Sequence, residues 1–254
     1  MSGFISAGLG LDPAVFAALC AIVLGAGAVR GLTGFGFAIL AVPLMGLVIP
    51  PTQAVLLAIV LQMLIGPFGV SKAIGHIDTR IVAGVAAGAM VGTPLGLLIL
   101  SGTSPDVARL LIAAIAVGCF GIFLVKRAPL PSRAPSHVAA TGVAAGLLNG
   151  FAAMPGPPVI LYFVRSGVTP MAARGSMILV FFAAATAGTM TAWLRGLLDG
   201  PLVLLAAAVF PLMLLGNHVG SRFFGVIPER LWRTAVVILL IASALGALVK
   251  LWRG

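Results

Sequence analysis

The chain has 254 residues, of which 61% are hydrophobic and only 8% are charged. Soluble globular domains carry about 25% charged residues, so this composition excludes a soluble domain, a disordered chain and a disulfide-rich secreted module. The chain has 15 Lys and Arg against 5 Asp and Glu, a net charge of +10. Because these charges lie between long apolar runs, they indicate a membrane protein with positive loops inside, and no nucleic-acid partner.

The charge-free stretches predict the membrane-embedded elements in chain order, since a span needs about 20 apolar residues. The second stretch is long enough for two helices, and Pro50-Pro51 predicts the boundary between them. The runs do not alternate in polarity, so we expect helices rather than a barrel, in roughly 8 to 10 segments. The stretches cover residues 13–29, 31–71, 81–105, 110–125, 134–164, 175–194, 200–221 and 234–249.

The two halves of the sequence resemble each other after a shift of 119 positions. The charges of the loops then orient the halves oppositely in the membrane. We predict an all-α polytopic membrane protein with two inverted repeats of about four helices, residues 1–127 and 137–254, joined by a linker over 128–136. The matching pairs are Gly27 and Gly146, Gly31 and Gly150, and Pro51 and Pro170.

Each half begins with an apolar helix that leads into a Gly- or Pro-rich break. The shift aligns Arg30, beside the first break, with Asn149, beside the second. Unpaired backbone groups at membrane depth are tolerated only at a cavity, another segment or a bound ion, and helix N-termini there favour an anion. Pieces 135–153 and 155–165 are too short to cross comfortably, which predicts a re-entrant hairpin, whereas the longer first pair is expected to cross fully.

The candidate substrate contacts lie in and beside the two breaks. An Arg at a helix centre costs about 2.5–3.5 kcal/mol on insertion scales, so Arg30 is expected to face a cavity, or else to snorkel to the interface. Arg174 is a second anion contact or a loop charge, and Asn149 binds oxygens or links two helices. The predicted substrate-binding set is Arg30, Thr33, Gly34, Phe35, Gly36, Asn149, Gly150, Met154, Gly156, Tyr162 and Arg174.

Other polar residues in the apolar runs have both a functional and a structural interpretation. Gln53 and Gln62 share a helix face and line a path or clamp two helices together. His218 beside Asn217 carries a coupled proton or is a packed histidine. The sequence has no metal-ligand cluster, Walker loop or catalytic set, so we expect no metal and no cofactor. Glycines at intervals of four predict close helix packing at Gly84, Gly88, Gly92 and Gly96.

Several segments together carry a resemblance to a known family. The segments are Gly31-Leu-Thr-Gly-Phe-Gly-Phe-Ala-Ile-Leu-Ala-Val-Pro-Leu44, Gly75-His-Ile-Asp-Thr-Arg80, Gly146-Leu-Leu-Asn-Gly150, Gly156-Pro-Pro-Val-Ile-Leu-Tyr162, Ala173-Arg174-Gly175, Gly216 to Gly220, and Pro228-Glu229-Arg230. In this order they resemble the signatures of the sulfite exporter TauE/SafE family of bacterial membrane permeases. The chain departs from the family pattern at Ala152-Ala153-Met154-Pro155, where members often have a Gly-rich run.

The resemblance implies two related four-helix halves, no enzymatic activity, and transport of small sulfur-containing anions such as sulfite or sulfonates. We therefore predict a permease of the inner membrane, embedded in the lipid bilayer, that works by alternating access at the paired breaks. An anion channel and a membrane-embedded enzyme are the alternatives. Coupling to protons or sodium, and assembly as a homodimer, stay open.

Overall fold

A computed structural model describes residues 11–34, 36–73, 79–122, 134–167 and 169–223, together with positions 238, 241, 245 and 246. Within these residues the chain is helical and contains no strand, which confirms the predicted all-α class. The helix predicted over 234–249 lies outside the described residues apart from four positions. Most of the predicted linker over 128–136 also lies outside them.

Nine helices are described, and Pro51 begins the third of them, as the Pro50-Pro51 boundary predicts. Five of the described helices are long and apolar enough to cross a membrane: α1, α3, α4, α8 and α9. The first half contains α1 (Pro13–Thr33), α2 (Phe37–Met45), α3 (Pro51–Ala73), α4 (Thr79–Ser101) and α5 (Pro105–Ile122). The second half contains α6 (Pro135–Ala152), α7 (Gly156–Arg165), α8 (Pro170–Leu194) and α9 (Gly200–Arg222).

Short polar side chains fix where three of the long helices begin. Asp12, Thr169 and Asp199 cap α1, α8 and α9, and each side chain accepts a hydrogen bond from a backbone N–H in the first turn. A proline occupies one of the first two helical positions in all three helices, where its missing N–H costs nothing. The capping carboxylates of Asp12 and Asp199 therefore have structural roles at helix ends.

The short helices α2 and α7 directly follow the two breaks. They have 9 and 10 residues, so each reaches about 15 Å, half of the hydrocarbon core. The bounds of α6 and α7 agree with the short pieces predicted around the second break. In the first half, α1 has the length of a span but α2 does not, so the expectation that both helices of this pair cross is wrong.

The glycine stripe of α4 faces α6 across a backbone-to-backbone contact. A Cβ added to Gly92 would collide with the carbonyl oxygen of Val143, and one added to Gly96 with that of Leu147. Gly146 of α6 faces α4 in return, since its Cβ would lie 2.7 Å from the backbone nitrogen of Thr93. The predicted packing role of the stripe is therefore confirmed, because small residues let two helices approach closely.

Helices α1 and α9 form a second pair of the same kind. A Cβ on Gly31 would lie 2.7 Å from the backbone nitrogen of Ser221, and one on Gly220 would collide with the backbone of Ala28. Between the two glycine-rich pairs lies α3, which contacts α2, α8 and α9. Its residues 54–61 are all buried, as expected for a helix that is apolar on every side.

Candidate functional site

The two helix breaks form opposite walls of one small internal cavity. Arg30 and the start of α2 line it from the first half, residues 153–156 from the second, and Gln62 and Phe181 complete the wall. Its free volume of about 20 Å³ has room for one water molecule. This space is smaller than an oxyanion with three or four oxygens.

Two glycines with positive φ separate α1 from α2. Gly34 has φ 81°, and its N–H donates to the carbonyl oxygen of Arg30 at 2.7 Å, which ends α1. Gly36 has φ 94° and forms the N-cap of α2. Both conformations lie in the left-handed region that glycine adopts without a Cβ penalty. The Thr33 hydroxyl donates to the carbonyl oxygen of Val29 at 2.9 Å, so it satisfies the end of α1.

The second break turns in the same way but without glycine at its turning residue. Ala153 has φ 58°, and its N–H donates to the carbonyl oxygen of Asn149 at 2.7 Å. An L-residue in this conformation costs roughly 1–2 kcal/mol. Met154 follows, with its N–H donating to Leu148 at 3.2 Å, and α7 then begins at Gly156. The backbone of the second break is thus fixed by hydrogen bonds to the carbonyl oxygens at the end of α6.

Gln62 reaches from α3 into the second break. Its side chain is 8% exposed, and its Nε2 donates to the carbonyl oxygen of Ala153 at 3.0 Å. This contact agrees with the helix-clamp interpretation of Gln62 and also places the residue in the cavity wall. Gln53, two and a half turns earlier on α3, is exposed and does not contribute to this contact.

We predict that Gln62→Met destabilises the protein by about 1–3 kcal/mol, because the Ala153 carbonyl would stay buried without a donor. Thermal unfolding of the detergent-solubilised protein measures the loss. Gln53→Met is the matched control on the same helix, and it should unfold at the temperature of the unsubstituted protein because Gln53 is exposed. Equal unfolding temperatures for the two variants would show that the clamp does not stabilise the break.

Two arginines meet at the first break. Arg30 lies in the last turn of α1, is half-buried, and lines the cavity. Arg174 of α8 lies against Gly34, since a Cβ there would be 3.0 Å from its Nε. Arg174 is exposed and does not line the cavity. The structure therefore places both arginines that the sequence suggests for binding an anion beside the first break, but only Arg30 lines the cavity.

The acidic residues in the described part of the chain lie elsewhere. Asp12 and Asp199 cap α1 and α9, and Asp106 pairs with Arg109 at 2.6 Å. In these described residues, no carboxylate hydrogen-bonds or pairs with Arg30. The charge of Arg30 at the first break is therefore not balanced by a carboxylate of the described residues.

Asn149, Gly150 and Tyr162 are among the predicted site residues that do not line this cavity. Asn149 is fully buried, and its Nδ2 donates to the carbonyl oxygen of Ala184 at 3.0 Å and to Thr93 at 3.4 Å. This supports the helix-to-helix alternative for Asn149. Gly150 packs against the backbone of α4, and Tyr162 lines a different cavity between α6 and α7. His218 is exposed on α9 and is not part of the cavity wall.

The other predicted residues lie at the breaks. Gly36, Met154 and Gly156 line the cavity, whereas Thr33 and Gly34 form the turn beside it. Phe35 lies outside the described residues. Phe181 of α8 also lines the cavity but was not predicted. It is one of many phenylalanines in apolar runs, and nothing in the sequence distinguishes it from those that only pack in the core.

These features define the class as a multi-pass α-helical membrane protein whose broken helices meet at a basic cavity. Residues 19–247 match the family model described as "Sulfite exporter TauE/SafE". The chain belongs to this family. It is similar to the protein of Cupriavidus necator named "Probable sulfite/organosulfonate exporter TauE", at 30% identity over 208 residues, which cover 79% of this chain and 81% of the relative. No solved structure matches the chain.

Family membership confirms the predicted class and location. The matching family and the relative are exporters, so this chain is a membrane transporter and not an enzyme. With five apolar candidate spans within its described residues, it is a multi-pass protein of the inner membrane.

Proposed function

We propose that the chain exports a small sulfur-containing oxyanion, sulfite or an organosulfonate, through the cavity between the two breaks. The observation that carries this proposal is Arg30 in the cavity wall at the first break, where no carboxylate of the described residues pairs with it. Arg174 lies beside it, against Gly34. Sulfonate and sulfite oxygens accept charge-assisted hydrogen bonds from guanidinium groups. The name of the relative from Cupriavidus necator supports the same substrate class.

The backbone supplies further donors, mostly from the first half. Neither α2 nor α7 has a side-chain cap at its N-terminus, so their first N–H groups are available to a ligand. The start of α7 contains Pro157 and Pro158, which have no N–H. We therefore assign the anion mainly to the N-terminus of α2 together with Arg30.

The pairing of helices supports two related repeats, residues 1–127 and 137–254, around the linker at 128–136. The charges of the loops favour an inverted arrangement of these repeats. If α1 to α4 of the first half correspond to α6 to α9 of the second, the contact of α1 with α9 corresponds to that of α6 with α4. The contact of α3 with α8 then corresponds to itself. The contacts of α1 with α2 and of α6 with α7 are exchanged in the same way. Each repeat then contributes one break to the cavity, as in other transporters with broken helices.

Alternating access follows from this proposal because the small cavity must widen before it holds the anion. Two related halves that rock about the cavity open it first to one side of the membrane and then to the other. A channel would instead require a continuous path. Coupling to protons or sodium would act on the same motion, because a bound coupling ion would bias which side of the cavity opens.

Flux measurements with purified protein in liposomes test the proposal. Sulfite, sulfoacetate, isethionate and taurine are compared with acetate, with and without an imposed proton or sodium gradient. We expect saturable flux of at least one sulfur oxyanion and little flux of acetate. Flux no faster than in empty liposomes would refute transport of these anions, and flux that never saturates would favour a channel.

A further inference from the structure

A second cavity lies between α6 and α7, apart from the cavity at the breaks. Its volume is about 280 Å³, and His137, Thr141, Tyr162 and Arg165 provide its polar lining. The remaining wall is apolar and consists of Ala140, Ala144, Pro158 and Leu161. None of these eight residues lines the cavity between the breaks.

The hydroxyl group of Tyr162 is the most notable polar group of this cavity. The side chain of this tyrosine is 3% exposed, its ring packs edge-on against Phe163 at 5.5 Å, and its hydroxyl is buried without a hydrogen-bond partner among the described residues. Buried tyrosine hydroxyls ordinarily have a partner, since an unpaired one costs free energy. A ligand in the cavity would supply the missing acceptor.

The polar groups are ordered by depth. His137, in the first turn of α6, is exposed, and Arg165, the last residue of α7, is half-buried. Thr141 lies one turn further along α6 and is half-buried, whereas Tyr162 is buried. The cavity thus has a basic mouth, hydroxyl groups below it, and apolar walls.

We propose that this cavity binds the headgroup of an anionic phospholipid. The phosphate would lie at the mouth beside Arg165 and His137, and the Tyr162 hydroxyl would donate to a phosphate or ester oxygen below it. The apolar wall would contact the start of the acyl chains. The order of charge, hydroxyl and hydrocarbon is the order of groups along a phospholipid.

The loop with Lys126, Arg127 and Arg133 is expected on the cytoplasmic side because basic loops stay inside. The mouth adjoins this loop in the sequence, since α6 begins at Pro135. Anionic lipids are concentrated in the cytoplasmic leaflet, and basic pockets between membrane helices on that side bind their headgroups. A free oxyanion would use the charged mouth but would have no use for the apolar wall. The lipid therefore accounts for more of the cavity than a free ion does.

Lipid titration of the purified full chain tests the proposal. Native mass spectrometry and thermal unfolding in detergent are followed with phosphatidylglycerol, phosphatidylcholine and inorganic phosphate added separately. We expect saturable binding and stabilisation with phosphatidylglycerol, and little of either with the other two. Equal stabilisation by inorganic phosphate would overturn the lipid assignment, and equal stabilisation by phosphatidylcholine would overturn the charge selectivity.

Two variants locate the site. Tyr162→Phe removes only the hydroxyl and should weaken phosphatidylglycerol binding about two- to tenfold. It should leave the lipid-free protein as stable as before or more stable, because the removed hydroxyl is buried without a described partner. Arg165→Gln should weaken it about tenfold or more. Arg222→Gln, at an exposed arginine ending α9, is the control and should bind as the unsubstituted protein does. If Tyr162→Phe and Arg165→Gln both bind the lipid unchanged, the cavity is not its site.

Discussion

Replacing Arg30 by glutamine is expected to lower the apparent affinity or rate of oxyanion transport by about ten- to hundredfold. A hydrogen bond to a charged group contributes about 1.5–3 kcal/mol, and each 1.4 kcal/mol corresponds to a factor of ten. Arg30 lines the cavity at the first break and has no described carboxylate to neutralise it. Flux of the active sulfur oxyanion into liposomes, measured over a range of concentrations, gives the loss.

The same substitution should leave the protein as stable as before, or more so. Arg30 is a half-buried charge close to the like charge of Arg174, and removing one of two like charges relieves their repulsion. If transport is lost while the unfolding temperature does not fall, Arg30 is a residue that is retained for function at some cost in stability. A merely structural arginine would show the opposite combination.

Two further variants define what the site requires of Arg30. Arg30→Lys keeps the charge but loses the planar, bidentate donor set, so its transport should lie between those of the unsubstituted protein and Arg30→Gln. Arg195→Gln removes an exposed arginine at the end of α8 and should leave transport unchanged. Full transport by Arg30→Gln would rule out this arginine as the anion contact.

The helices and the breaks could be predicted from the sequence because their causes are local. Apolar runs of sufficient length become helices in lipid, and Pro50-Pro51 and the glycines at 34 and 36 interrupt them for steric reasons. The charge of Arg30 within such a run was a second local signal. It pointed to a cavity because a buried charge needs a polar neighbour.

The partners of individual side chains could not be predicted because they depend on helix rotation and side-chain length. The carbonyl oxygens of Arg30 and Asn149 both accept the hydrogen bond that ends their helix, so the two residues are equivalent in backbone position. The long Arg30 side chain nevertheless reaches the cavity, whereas the short Asn149 side chain ends at α8 and α4. Tyr162 likewise has the expected helical position but lines the cavity on the other side of α7.

The second large effect is expected at the glycines between paired helices. Gly31→Ala places a methyl group against the backbone of Asn217 and Ser221 on α9, atoms that cannot move aside as a flexible side chain can. Overpacking of this kind costs about 1–3 kcal/mol, which for a chain of this size lowers the unfolding midpoint by roughly 3 to 10 °C. Thermal unfolding in detergent measures the shift.

Gly25→Ala is the matched control on the same helix. A Cβ at Gly25 meets no atom within 4 Å, so the substitution should only gain helix propensity, up to about 1 kcal/mol. The two alanine variants of α1 are thus expected to shift the unfolding midpoint in opposite directions. A shift of the same sign in both would mean that α1 and α9 are not packed backbone to backbone.

The counterpart in the other half extends the test to the proposed repeat. Gly150 matches Gly31 after the shift of 119 positions, and a Cβ there would collide with the backbone of Thr93 and Leu97 on α4. If the halves are related by duplication, Gly150→Ala should lower the unfolding midpoint by about as much as Gly31→Ala. Because each helix pair joins the first helix of one half to the fourth of the other, both substitutions should also impair the same event, the docking of the two halves. A loss confined to one of them would argue against equivalent interfaces.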